Sequence, residues 1–142
     1  MANLNVRCFL TDMTYQLPKF FANREPKTES EHQLVVMTYC RTNGDERLKR
    51  IFHIPNGGMR SKREAAELKS IGVKPGVSDL FLPAMVGGYG GLWIEMKTTD
   101  GRLSEEQQAW LNEMNESGYK AHVCYGWQEA IQRIDEYMGM AA

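Results

Sequence analysis

The chain has 142 residues, 42% hydrophobic and 25% charged, with a formal net charge of −1. That length and make-up suit one ordinary globular domain with a single core and exclude a uniformly basic nucleic-acid binder. No apolar run approaches the roughly 18 residues that span a bilayer, and the N-terminus lacks the apolar stretch of a signal peptide.

In chain order, residues 1–27 come first. They hold Phe9, Leu10, Tyr15, Leu17, Phe20 and Phe21, too many apolar side chains for a purely disordered tail. The segment is read apart from the domain at 28–142, as packing on the core, covering a sheet edge or serving a subunit contact. Thr28 or Ser30 then caps a helix to about Arg41, with Leu34, Val35, Thr38 and Tyr39 near a 3.6-residue period. Thr28 and Glu31 have capping-box spacing. Asn43, Gly44 and Asp45 make a turn. A strand is expected over 49–54, ended by Pro55, Asn56, Gly57 and Gly58.

Ser61 opens a helix to about Ile71 with Ala65, Ala66 and Leu68 inward and Gly72 as its stop. Asn56, Arg60, Lys62 and Arg63 gather at the start of that helix, and Lys69 lies further along it. Backbone N–H groups and bases at such an end suit phosphate oxygens, although turn chemistry and plain surface suit them too. From Arg47 to Lys74 the local charge is +6, whereas from Glu95 onward it is −5.

Two apolar runs, 80–83 and 92–96, flank the glycines at 87, 88, 90 and 91 and read as a hairpin of buried strands. Asp79 opens the first, while Glu95 and Lys97 sit in the second. Alternation puts Trp93, Glu95 and Lys97 on one face and Leu92, Ile94 and Met96 on the other. Asp79 reaches the Glu95 side if the hairpin pairs this way. Two readings stay open on pattern alone: a solvated Glu–Lys pair beside a turn-capping Asp79, or a divalent-metal site. Magnesium needs only one or two carboxylates, because it keeps several waters. Beyond the hairpin, Ser104 caps a helix to about Ser117 with Trp110, Leu111 and Met114 as anchors, and Gln107 completes a second capping box. A strand over 120–125 and a helix over 128–138 follow, the latter with Ala130, Ile131, Ile134 and Tyr137 inward. This order implies an α/β fold, a central mixed β-sheet flanked by helices.

The motif Gly76-Val77-Ser78-Asp79-Leu80 followed by Glu95-Met96-Lys97 resembles the PD-(D/E)XK nuclease core, and more narrowly the VRR-NUC (virus-type replication-repair nuclease) family. Supporting segments in the same order are Ile54-Pro55-Asn56-Gly57-Gly58, Leu68-Lys69, Gly72-Val73, Leu103-Ser104-Glu105-Glu106-Gln107 and Gly118-Tyr119. The resemblance runs from about Glu29 to Met138. The family's usual proline before the aspartate is Ser78 here.

The resemblance implies a restriction-endonuclease-like fold and a metal-dependent DNA endonuclease that hydrolyses phosphodiester bonds. It implies Mg²⁺ or Mn²⁺ held by Asp79, Glu95 and Glu31, the last preferred over Glu29 as the carboxylate of the first helix. Lys97 would stabilise charge growing on the phosphate, or act as base if its pKa is depressed, and Gln107 would stand beside it. DNA contact would fall to Asn56, Arg60, Lys62, Arg63 and Lys69. Branched DNA such as a four-way junction, a homodimer and a phage or bacterial cytoplasm are further expectations. Alternatives are a non-catalytic DNA-binding module or subunit, and a nonspecific nuclease.

Cys8, Cys40 and Cys124 lack metal-type spacing and read as free thiols in a reducing setting. His32, His53 and His122 are too scattered for zinc. Nucleophile-elbow and phosphate-loop motifs are absent, so no nucleotide cofactor is expected.

Overall fold

The computed structural model describes residues 17–21, 24–56, 58 and 60–139. Its elements are α1 (Glu29–Thr42), β1 (Phe52–His53), α2 (Lys62–Ser70), β2 (Leu80–Leu82), β3 (Leu92–Lys97), α3 (Glu105–Glu116), β4 (Lys120–Tyr125) and α4 (Trp127–Met138), with short 3-10 turns at Lys19–Phe21 and Glu46–Arg50. One four-stranded sheet runs β1-β2-β3-β4. β1 and β3 both pair antiparallel with β2, and β4 pairs parallel with β3. Parallel pairing needs a crossover, and α3 supplies it. The sheet is therefore mixed and helix-flanked, as expected.

Period-2 burial builds the core. Leu80, Leu82, Leu92, Ile94 and Met96 point to one face and are wholly buried against Val36, Cys40, Ala130 and Ile134. Fully burying one such side chain is worth about 1.5–3 kcal/mol. α1 and α4 pack on each other on that face, and α3 packs over β4 and β3 on the other. Cys40 and Cys124 are free and buried, and burial pushes both thiols up to about 12. Cys8 lies outside the described residues. Residues 1–16 do too, although Phe21 of the same N-terminal segment is buried.

Three local expectations change. Strand β1 starts at Phe52 rather than Lys49, because the Asp45 side chain accepts from the Arg47 N–H and opens a 3-10 turn that takes up Lys49 and Arg50. Ala65 and Ala66 are exposed rather than inward, and α2 has no buried residue at all. Leu34 is also turned outward; Val35, Val36, Tyr39 and Cys40 carry the buried side of α1.

Candidate active site

Two helix caps and a glycine turn aim the polar groups. Thr28 accepts from the Glu31 N–H at 3.2 Å and starts α1. Ser104 accepts from the Gln107 N–H at 3.1 Å and starts α3. Between them, the turn at Gly76 lies against α3. A Cβ there would stand 2.5 Å from the backbone carbonyl of Glu106, and φ is +84°. Only glycine fits both restraints. The segment leading into Asp79 is thereby held beside the helix that carries Gln107.

Asp79 lies one residue before the Leu80–Ile94 pair, so it falls across the sheet from Glu95. Its Oδ2 accepts from the Met96 N–H at 2.7 Å, and its carboxyl group is close enough to Glu95 to raise that residue's pKa. Glu95 is 2% exposed. Its Oε1 accepts from Gln107 Nε2 at 2.8 Å and lies 3.3 Å from Lys97 Nζ, while its Oε2 is buried with no hydrogen-bond partner among the described residues. Lys97 Nζ also reaches Glu29 Oε1 at 3.4 Å. The aliphatic stem of Lys97 is covered by the following turn, where a Cβ on Gly101 would sit 3.1 Å from it. Long buried lysines commonly pack their stems and pair their heads in this way.

Electrostatics follow from this crowding. Burial, then the neighbouring Asp79, lifts Glu95 to about 7 despite Lys97. Asp79 is raised as well, first by burial, although the Met96 N–H and Lys97 oppose the shift. Burial pulls Lys97 down, but Glu95 and Glu29 outweigh it and the ammonium ends above its ordinary value. With those carboxylates beside it, the Lys97 ammonium is favoured over the neutral amine.

Glu31 is not part of this group. Arg24 grips it with two hydrogen bonds of 2.6 and 3.1 Å, and the Lys27 N–H donates to it at 2.7 Å. At the third position of α1 its carboxylate folds back onto the helix start, whereas Glu29 at the first position reaches Lys97. Gln107, by contrast, caps α3 and also reaches the site, where it bonds Glu95 rather than Lys97. Its Oε1 accepts from the Ser104 N–H at 2.9 Å while its Nε2 donates to Glu95. His53 was not foreseen. Its Nδ1 lies 2.8 Å from the Asp79 carbonyl oxygen, an acceptor only, so that nitrogen donates. No sequence motif marks it; the contact depends on β1–β2 register. Among the described residues, no three His, Cys, Asp or Glu side chains converge closely enough to hold one ion.

The basic residues divide. Asn56, Arg60 and Lys69 line a groove of about 340 Å³ with Leu68 and Val73. Asn56 ties its wall together by donating to the Lys74 carbonyl oxygen at 2.6 Å. Lys62 and Arg63 are exposed on α2 outside that groove, and none of the four bases makes an ion pair among the described residues.

A mixed sheet with Glu95 and Lys97 on β3 and Asp79 just before the neighbouring β2 defines a domain of the restriction-endonuclease-like class. The family model of the VRR-NUC domain matches residues 22–128, and the chain belongs to that family. A solved structure described as a VRR_NUC domain protein superposes with a TM-score of 0.71 at 30% identity, covering 81% of this chain and 91% of that one. No curated protein matches. Membership in this family implies a nuclease-type activity, with DNA as the substrate it suggests. No described helix is long and apolar enough to cross a membrane.

Proposed function

We propose that the chain is a metal-dependent DNA endonuclease whose cation is held by Asp79 and Glu95. The observation that carries this reading is the buried, unpartnered Oε2 of Glu95 beside a second carboxyl group. An orphaned buried carboxylate oxygen costs several times a surface one, and a hard cation satisfies it. One or two carboxylates with waters meet the needs of Mg²⁺ or Mn²⁺, so the pair suffices without a third acid. When bound, such an ion supplies charge relief at the scissile phosphate and lowers the pKa of a water.

The protein's own groups do the rest. Gln107 fixes the Oε1 side of Glu95, leaving Oε2 open. The Met96 N–H fixes Asp79. Lys97, held protonated, offers positive charge where the phosphate gains negative charge in the transition state. Glu29 stands at the rim, where it pairs with Lys97. Arg60 and Lys69 take backbone phosphates, and Lys62 and Arg63 add long-range attraction.

The test compares labelled four-way junction and linear duplex, with and without Mg²⁺. Symmetric nicks in the junction that disappear in Asp79→Ala support branch selectivity as well as the metal site. Cutting of every substrate alike leaves a nonspecific nuclease. Stable DNA binding with no metal-dependent product identifies a non-catalytic module and defeats the proposal.

A further inference from the structure

The face that carries the carboxylates also carries a row of rings. Strand register pairs Phe52 with Phe81 and Phe81 with Trp93, so three aromatic residues cross β1, β2 and β3 side by side. Phe81 stacks on Trp93 with centroids 4.3 Å apart at 29°. Trp93 meets Trp110 of α3 edge-on at 5.1 Å, and Phe52 meets Phe81 edge-on at 5.9 Å. Backbone closes on the row from below: a Cβ on Gly91 would stand 2.6 Å from the Phe81 ring. The row is thus anchored under α3 and open at the sheet edge, where Phe52 is 47% exposed.

Its position matters more than its composition. The Ile54 N–H donates to the Asp79 carbonyl oxygen at 2.8 Å, which sets Ile54 level with the carboxylate pair. Phe52 stands two residues away along the same strand, about 7 Å off. Two residues the other way is Asn56, at the groove with Arg60 and Lys69. A strand of nucleic acid with its phosphate at Asp79 and Glu95 would therefore meet bases on one side and an exposed ring on the other. A single ring on a two-residue edge strand is far short of the roughly 800 Å² per partner that a stable protein interface needs.

We propose that Phe52 is a stacking platform for an unpaired base next to the cleaved phosphate. This rests on the nuclease reading above and narrows its substrate to DNA with splayed bases beside the cut, as at a branch point or mismatch. Bases inside a duplex have both faces occupied, so only one that has left the stack can use the ring. Phe81, itself stacked on Trp93, holds Phe52 from behind, so little ordering entropy opposes the contact.

The experiment uses Asp79→Asn protein, which binds without cutting, and junction DNA with 2-aminopurine unpaired beside the branch. Binding is expected to quench its fluorescence. Phe52→Trp keeps the quenching, and Phe52→Leu, which fills the same space without a ring face, loses it. Equal quenching with Leu, or none with Phe52 intact, overturns the proposal whether or not the protein is a nuclease. In proteins with Asp79 restored, Phe52→Leu should lower the ratio of cutting rates, unpaired over fully paired, roughly 5- to 150-fold. An unchanged ratio overturns the assignment of Phe52 alone, whereas cutting that ignores both metal and Asp79 overturns the nuclease reading beneath it.

Discussion

Glu29 and Glu31 sit two positions apart on α1 and have separate work. Glu31 is lowered to about 2, first by the Arg24 guanidinium and then by the Lys27 N–H. A depressed carboxylate stabilises the fold above its unfolded value and loses that contribution as pH falls through about 2. Glu31→Gln should therefore lower the melting temperature at pH 7 while leaving a Mn²⁺ titration of the protein unchanged. A weakened titration would return Glu31 to the metal site. Ser78 offers a second test at this scale. Its hydroxyl is wholly buried without a hydrogen-bond partner among the described residues. Ser78→Ala removes that desolvation cost and should stabilise the protein by about 1 kcal/mol in chemical denaturation. A loss of similar size would reveal a partner for the hydroxyl.

Among the elements, the turn at Gly76 does the most for the site. Gly76→Ala meets both a left-handed φ and the Glu106 backbone. It should cost on the order of 2 kcal/mol and weaken metal binding together with stability, because Asp79 and α3 shift apart. A stable Ala variant with intact metal affinity would show that the close approach is not needed.

Element by element, helices were the most legible part of the sequence. Thr28, Ser61 and Ser104 each cap as their spacing implies, and β4 matches its expected bounds. Local chemistry decides those features. Where a local and a distant partner compete, sequence gives no ranking. Glu31 fits both a capping box and a metal site, and the nearby Arg24 decides for the cap. Gln107 satisfies both because its two amide atoms face different ways. α2 was expected to bury its alanines, but no described element covers it, and nothing in its own nine residues reports that. Phe52 and His53 acquire neighbours only through strand register, which no motif encodes.

At the scale of the molecule, one core and one polar cluster can be separated by pH. Asp135 is 4% exposed between α1 and α4, where its Oδ1 accepts from the Tyr39 hydroxyl. Burial raises its pKa, and the Tyr39 bond only partly offsets this. A raised carboxylate makes the folded state bind more protons than the unfolded one, so stability falls as pH climbs from the ordinary value of 3.8 through the folded one. Asp135→Asn still accepts from Tyr39 and lacks that penalty. Its stability relative to the unaltered protein should rise between pH 3.5 and pH 7 in denaturant titrations. A difference that does not vary with pH would mean the carboxyl group titrates alike in the folded and unfolded states.

The central claim, that Asp79 and Glu95 together hold a divalent cation, is tested most directly by anomalous diffraction from crystals soaked in Mn²⁺. The account predicts a single strong peak between the carboxyl groups of Asp79 and Glu95, and no peak at that place in Glu95→Gln. Manganese bound at Glu31 or elsewhere, with those two oxygens left empty, would contradict it.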